Sequence, residues 1–348
     1  LDVDALASYA GDLPGLPATS PLVTGAPALD VAAPDSQRYL AYVARQLSSF
    51  ESSAQKSVSR LTITHRYDVV LGGVAAIVPA DEIDSLARLP GVRAVLPDTL
   101  QQLRTEVSPQ FIGASAAWEQ LGGQASAGEG VIVGVIDSGI WPEHPSVADP
   151  DPLGKPFPAP PPAPDGDRAC EFSGGENPGE PFSCNNKLIG AQRFMATYEA
   201  IIGLQPGEFT SARDDNGHGT HTATTAAGNR GVEASIFGVD RGTVSGVAPR
   251  AHLMVYKVCG LAGCFLSDSA AAVQEAIRDG VDVINFSIGG GTNPYADPVS
   301  LAFLDAYNAG VFVAAAAGNS GPAPDTVEHR EPWVTTVAAS TTDRQFVS

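Results

Sequence analysis

The sequence predicts an α/β protein in which a doubly wound parallel sheet is preceded by a small α+β domain. From about residue 130 onward, apolar runs typical of strands buried on both faces alternate with helical segments of 10–12 residues, which indicates βαβ units. Between residues 35 and 104, shorter elements follow the order α-β-β-α-β instead. The length of 348 residues agrees with about two domains.

The N-terminal part divides into a leader and a domain. Residues 1–34 are punctuated by Pro, Ala and Gly without strong periodicity, and predict a flexible leader. The domain at 35–104 is expected to hold a helix around 39–47, strands at 61–67, 69–78 and 92–97, and a helix at 81–89. The polar stretch 101–108 predicts an exposed linker in which the chain could be cleaved.

Residues 105–348 supply the parallel sheet. Its predicted strands are 131–136, 251–258, 281–288, 311–317 and 334–339, and its predicted helices are 268–279 and 299–308. A Pro/Gly-rich stretch at 142–186, with ten prolines between 142 and 164, predicts a surface loop insertion. In open sheets of this kind, ligand sites lie beyond the carboxyl ends of the strands.

Composition excludes several classes of function. The 39 acidic and 20 basic residues give a net charge of −19, which argues against nucleic-acid binding and against docking on an anionic membrane. No apolar run approaches the roughly 18 residues needed to cross a bilayer. The chain starts at Leu1 and stops at Ser348 just after an apolar stretch, so we expect a fragment.

The four cysteines form two close pairs, Cys170 with Cys184 and Cys259 with Cys264. The first pair encloses a Gly, Pro and Asn-rich loop and is typical of a disulfide staple in an oxidising compartment. Free thiols stay open as an alternative, as does zinc, although neither pair is C-x-x-C. With its acidic composition, the chain is expected to be secreted.

Two residues at the predicted sheet edge could carry acid–base chemistry. Asp137 ends the first buried strand, where a carboxylate is costly unless it is paired, although it could simply cap the next turn. His218 begins a helix of small residues and lies between glycines that would let a substrate backbone approach. A metal alternative would use His218, His221 and Asp215, but no His-Glu-x-x-His pattern and no third histidine at ligand spacing occurs.

Two further segments follow strands. Asn319, between glycine turns, could donate its amide to a developing oxyanion, or it could be an ordinary turn asparagine. Ser287, Ile288 and Gly289 end a strand in small residues, which could leave an edge for an extended peptide. No serine lies in a G-x-S-x-G nucleophile turn.

Taken together, three ordered segments resemble the subtilisin-like serine peptidases. These are 133–146 around Asp137, 215–223 around His218, and 316–322 around Asn319. Trp-Pro-Glu at 141–143, Cys-Asn-Asn-Lys-Leu-Ile-Gly at 184–190 and Tyr-Lys-Val-Cys-Gly at 256–260 resemble the large plant-type branch, which is also found in bacteria. The resemblance covers about 38–348, and its first part, about 38–104, resembles the inhibitory propeptide of the family.

The resemblance implies a subtilisin-like fold and a role for each site residue. Asp137 would orient His218, His218 would exchange the proton of a serine, and Asn319 would bind the oxyanion. Residues 287–289 would pair with peptide substrates. The propeptide would block the cleft as an intramolecular inhibitor until it is cut near 103–108. A structural calcium ion stays open at the acidic loops, although no EF-hand-like pattern occurs.

One departure limits this interpretation. The Gly-Thr-Ser-Met-Ala segment that holds the nucleophile of the family does not occur in these 348 residues. We therefore expect the front part of an endopeptidase precursor, inactive by itself. The alternatives are a non-catalytic binding module on the same fold and a metal-dependent hydrolase.

Overall fold

A six-stranded parallel sheet organises the larger part of the chain in the computed structural model, which describes residues 1–98, 100–101, 112–164, 168–236, 239–291 and 293–339. The helices are α1 (Pro21–Thr24), α2 (Pro34–Ser57), α3 (Ile83–Ala87), α4 (Ala114–Gln120), α5 (Ala196–Ile201), α6 (His218–Ala227), α7 (Leu266–Arg278) and α8 (Pro298–Asn308). The first seven strands are β1 (Thr62–Tyr67), β2 (Gly73–Ile77), β3 (Leu100–Gln101), β4 (Ile132–Asp137), β5 (Leu188–Arg193), β6 (Val232–Ile236) and β7 (Val239–Val244). The others are β8 (His252–Lys257), β9 (Cys259–Gly260), β10 (Gly263–Phe265), β11 (Val283–Phe286), β12 (Phe312–Ala316) and β13 (Thr335–Val337).

The sheet has the order β13-β12-β11-β4-β8-β5, and every neighbouring pair is parallel. This confirms the predicted α/β class and its parallel sheet. Because the strands are parallel, their carboxyl ends share one edge, and Asp137 at the end of β4 pairs with Lys257 at the end of β8. The sequence does not predict strand β5, whose residues follow the predicted loop insertion and precede the helix of small residues.

Helices cover both faces of the sheet, as the continuous apolar strands predicted. On β4, Ile132 and Ile136 belong to the core that contains α7 and α8. The alternate residues Val133 and Val135 face the other core, which contains Ala223 and Ala227 of α6. The helix that carries His218 therefore packs directly on the strand that carries Asp137.

The domain before the sheet holds α2, the antiparallel hairpin β1–β2 and α3, close to where the sequence predicts them. The predicted strand at 92–97 is wrong, since residues 92–98 have no strand pairing. Residues 92–98 and β2 both contribute to the lining of a cavity of about 770 Å³. A strand needs a neighbour within hydrogen-bonding distance, and β2 pairs with β1 alone among the described residues.

The expected flexible leader is corrected by the structure. Leu6, Ala7 and Tyr9 are buried, and the Tyr9 ring stacks on Tyr39 of α2 with centroids 3.7 Å apart. The amide of Leu6 donates to the Asp68 carbonyl at 2.9 Å. The leader also reaches the part of the chain that holds the parallel sheet, where the Leu29 amide donates to the Ala309 carbonyl at 3.1 Å. The apolar residues that bury the leader are few and irregularly spaced, so they show no helical or strand period among its Pro, Ala and Gly residues.

The predicted loop insertion at 142–186 contains a single 3-10 turn, Pro145–Val147, among its described residues. Both cysteine pairs form disulfides, Cys170–Cys184 within this loop and Cys259–Cys264 across β9 and β10. Within the described part of the chain, no helix is both long enough and apolar enough to cross a membrane.

Candidate active site

Asp137 is a completely buried carboxylate at the carboxyl edge of the sheet. Three groups donate to it: the Ser138 amide at 2.7 Å, the Thr222 hydroxyl at 3.2 Å and the His218 ring. Burial raises the pKa of Asp137, and the hydrogen bonds that it accepts oppose this rise. The carboxylate is thus held in one orientation by a set of donors from two elements.

His218, the first residue of α6, meets this carboxylate through one ring nitrogen. Its Nδ1 lies 2.8 Å from Oδ1 and 3.0 Å from Oδ2 of Asp137. The side chain keeps 14% of its accessible surface, while its second ring nitrogen, Nε2, is buried. The two residues that the sequence singled out for acid–base chemistry are 81 positions apart and in direct contact.

The start of α6 is fixed by Asp214, which the sequence analysis did not single out. Its carboxylate accepts the amides of Gly217 and Thr220, both at 2.8 Å, and also the Thr220 hydroxyl at 2.6 Å. Amides at the start of a helix have no partner within the helix, so an acidic side chain that accepts from them sets where the helix begins. The sequence feature that could have indicated this role of Asp214 is its position four residues before a histidine that begins a helix.

Close backbone contact completes the placement of His218. A Cβ on Gly219 would lie 2.2 Å from the Gly139 carbonyl oxygen, so only glycine fits there. The Gly219 amide donates to the Ser138 hydroxyl at 2.8 Å, and this hydroxyl in turn donates to Asp214 at 2.8 Å. The first turn of α6 is therefore tied to the loop that follows Asp137.

A buried ion pair supports the loop before α6, and it too was missed. Lys257 Nζ lies 2.5 Å from Asp215 Oδ2 and 2.6 Å from the Arg213 carbonyl oxygen. Burial lowers the pKa of Lys257, and the charge of Asp215 opposes this change. The pair joins the end of β8 to the segment that leads to His218.

The metal alternative finds no support in this arrangement. It required Asp215 beside both His218 and His221, but the Asp215 carboxylate is bound to Lys257. No group of three or more His, Cys, Asp or Glu side chains suited to a metal ion occurs in the parts of the chain that the structure describes.

The other predicted site residues follow β11 and β12, the next strands along the same edge. Ile288 and Gly289 are buried and Ser287 is half-buried, and the Ser287 hydroxyl accepts from the side-chain amide of Asn285 at 3.0 Å. Asn319 is exposed and follows Gly318, which has a φ of +83°. Their position at the edge agrees with a substrate and oxyanion role, and these roles stay predictions.

A strand pairing at the edge of β10 was also missed. Residues Leu100 and Gln101 pair antiparallel with Phe265 and Cys264, so the end of the N-terminal domain adds a strand to β10. Just before them, the Asp98 carboxylate accepts the Ser267 amide at 3.1 Å. The predicted cleavage zone at 103–108 lies outside the described residues.

Comparison with known proteins gives two family matches on this chain. Residues 128–347 match the subtilase family, and residues 31–104 match the peptidase inhibitor I9 family. Subtilisin-like protease SBT1.6 of Arabidopsis thaliana is 44% identical over 292 residues, which are 82% of this chain and 37% of that protein. Subtilisin-like protease SBT1.7 of the same plant is 39% identical over 303 residues, which are 85% of this chain and 38% of that protein.

The chain thus spans somewhat more than a third of the length of these curated relatives. The match to the subtilase family covers the sheet, the Asp137–His218 pair and the segment around Asn319. The inhibitor match covers the domain whose end adds a strand to β10. The chain belongs to the subtilase family and carries an I9 inhibitor domain before its peptidase region.

Proposed function

We propose that this chain is the front part of a secreted serine endopeptidase precursor, in which Asp137 and His218 are two members of a catalytic triad. The observation that carries the proposal is the contact of 2.8 Å between Nδ1 of the partly exposed His218 side chain and a fully buried carboxylate at the sheet edge. The nucleophilic serine would come from a segment of the protein not included in these 348 residues.

Each residue would have a defined step in peptide hydrolysis. The Asp137 carboxylate holds Nδ1–H of His218, which makes Nε2 the basic nitrogen. Nε2 takes the serine proton during attack on the peptide carbonyl and returns it to the leaving amine, while Asp137 stabilises the imidazolium. The Asn319 amide donates to the oxyanion, a contribution worth roughly 3 kcal/mol in acyl-transfer enzymes.

The I9 domain would keep the precursor inactive by occupying the strand-pairing edge that a peptide substrate needs. Support comes from the antiparallel pairing of Leu100–Gln101 with β10, since an extended peptide binds a sheet edge in this way. Cleavage in 103–108 would then separate the inhibitor from the peptidase region. Protein or peptide substrates would take the same edge together with residues 287–289.

Secretion is supported by two disulfides, which persist in oxidising compartments. The net charge of −19 supports a role without nucleic-acid or anionic-membrane partners.

Peptide hydrolysis by the complete protein tests this proposal. We expect His218→Ala to abolish turnover, and Asp137→Asn to lower kcat by about 10⁴-fold because the imidazole would lose its fixed tautomer. His221→Ala, an exposed position one turn further along α6, is the matched control and should stay within about twofold of wild type. Near-normal turnover in His218→Ala would refute the triad, and a chelator-sensitive activity would point to the metal hydrolase.

A further inference from the structure

Behind the predicted substrate-binding segment lies a buried pair that the proposed triad does not use. His329 and Glu331, in the connection between β12 and β13, have side chains that are 1% and 0% exposed. His329 Nδ1 lies 3.3 Å from Glu331 Oε1, and His329 Nε2 lies 3.2 Å from the Ile288 carbonyl oxygen. The ring thus bridges a carboxyl group and the backbone of the segment at 287–289.

The chemistry of the partners fixes the direction of the hydrogen bond between His329 and Ile288. A carbonyl oxygen can only accept, so Nε2 must carry a proton to bind Ile288. The hydrogen bond between Nδ1 and Glu331 has one proton, which is held either by Nδ1 or by the carboxyl group. Burial pushes the pKa of Glu331 upward, but the bond to His329 and its charge outweigh this effect and leave the pKa below its ordinary value. In either arrangement, Glu331 keeps Nε2–H directed at Ile288.

Packing holds the ring in this position. It lies edge-on to Phe286 of β11, with centroids 5.4 Å apart, and 5.9 Å from the ring of Phe303 of α8. A Cβ on Gly290 would lie 2.3 Å from the ring, so the chain can pass over it only as glycine. His329 itself has a φ of +49°, a left-handed conformation that non-glycine residues adopt where the surroundings impose it.

The same connection also holds the segment after β12. Next to His329, the Glu328 carboxylate accepts the Gly290 amide at 3.1 Å, and the Glu328 amide donates to the Ala317 carbonyl at 3.0 Å. Ala317 lies two residues before Asn319. One short stretch of chain therefore ties together the backbone of the two segments to which substrate pairing and oxyanion binding are assigned.

We propose that His329 is a positioning residue, which pins the Ile288 carbonyl inward so that the backbone of residues 287–289 is presented to an extended substrate. In an extended chain, successive carbonyl groups point to opposite sides, so fixing Ile288 sets the direction of its neighbours. The inference rests on the proposed peptidase function. It assigns to the Glu331–His329 pair an effect on the binding of long substrates and no direct part in proton transfer.

The test compares two p-nitroanilide substrates of the complete protein, one with four residues and one with a single residue before the scissile bond. His329→Phe keeps a ring in the space but removes the donor. We expect KM for the long substrate to rise about tenfold, the equivalent of one hydrogen bond, with kcat/KM for the short substrate within twofold of wild type. His329→Gln, whose amide can still donate to Ile288, should recover part of the loss.

Arg330→Gln, at the exposed position between the pair, is the matched control and should change neither substrate. An equal loss on both substrates, or no loss on either, would overturn the positioning role. Loss of all activity in His218→Ala alongside a normal length dependence in His329→Phe would retain the triad and reject this inference alone.

A measurement without catalysis keeps the inference testable if His329→Phe does not fold. Long-range proton–nitrogen NMR of the 348-residue chain reports which ring nitrogens carry protons. We expect His329 Nε2 to be protonated and slow to exchange with solvent at neutral pH. An unprotonated Nε2 would contradict the proposed hydrogen bond, whatever the activity of the complete protein.

Discussion

Asp137 and His218 meet because the residues around them are small or make specific bonds. Gly219 admits the Gly139 carbonyl, and Asp214 binds the first amides of α6. The sequence was sufficient to predict the two chemical groups, since a strand-ending aspartate and a helix-opening histidine between glycines are unusual. It was not sufficient to predict Asp214 or Lys257, because their importance depends on partners that only the folded chain brings close.

A second buried carboxylate, Asp305 of α8, gives a prediction about pH. Burial raises the pKa of Asp305 to about 6, opposed by the Leu71 amide, which donates to it at 2.9 Å. The folded chain therefore keeps this proton to a higher pH than the unfolded chain does. Stability from this group is complete below about pH 4 and is lost as the pH rises through 6.

We expect Asp305→Asn to raise the free energy of unfolding at pH 7.5 by about 1–3 kcal/mol, because it removes a buried charge. The difference from wild type should shrink as the pH falls to 4, where the native carboxyl is also neutral. Urea unfolding of both chains at several pH values measures this. A difference that stayed constant with pH would show that the carboxylate charge is not its cause.

At the scale of elements, sequence periodicity predicts the long helices and strands but does not predict short segments whose structure depends on pairing with a neighbour. The long apolar strands and α2, α7 and α8 were predictable because their patterns extend over several turns or a whole strand. The two-residue pairing of Leu100–Gln101 with β10 has no pattern of its own, since any extended backbone can make it. Residues 92–97 show the converse: their sequence has the pattern of a strand, but they form no strand pairing.

The leader supplies the prediction at this scale. Tyr9 is 1% exposed and stacked on Tyr39, whereas Leu22 in the same leader is 67% exposed. We expect Tyr9→Ala to destabilise the chain by about 3 kcal/mol, the usual cost of truncating a buried aromatic side chain. Thermal or urea unfolding measures the effect.

Leu22→Ala is the matched control and should change the stability by less than about 0.5 kcal/mol. If both variants behaved alike, the leader would be flexible, as its composition suggested.

At the scale of the whole molecule, one apolar core joins the leader, the I9 domain and the peptidase region. Leu6, Val43 and Val69 share it with Ile284 of the central sheet and Ala306 of α8. The inhibitor domain is thus bound over a broad surface as well as at the β10 edge. This agrees with a precursor in which inhibitor and peptidase regions remain associated until the chain is cut.

The sequence predicts only part of this arrangement of the whole molecule. The length of the chain predicts about two domains, but the contact between the leader, the I9 domain and the peptidase region depends on side chains that are ordinary core residues in the sequence. The proposed function therefore depends on the chemistry at the carboxyl edge of the sheet, above all on whether His218 activates a serine.

The most direct test of that claim is labelling with a fluorophosphonate, which reacts with an activated serine, followed by mapping of the labelled peptide. We predict that the complete protein is labelled on one serine outside residues 1–348. This label should disappear in His218→Ala, and the 348-residue chain should take up none. No label on the complete protein, or an equally strong label in His218→Ala, would contradict the proposed triad and favour a binding module on the same fold.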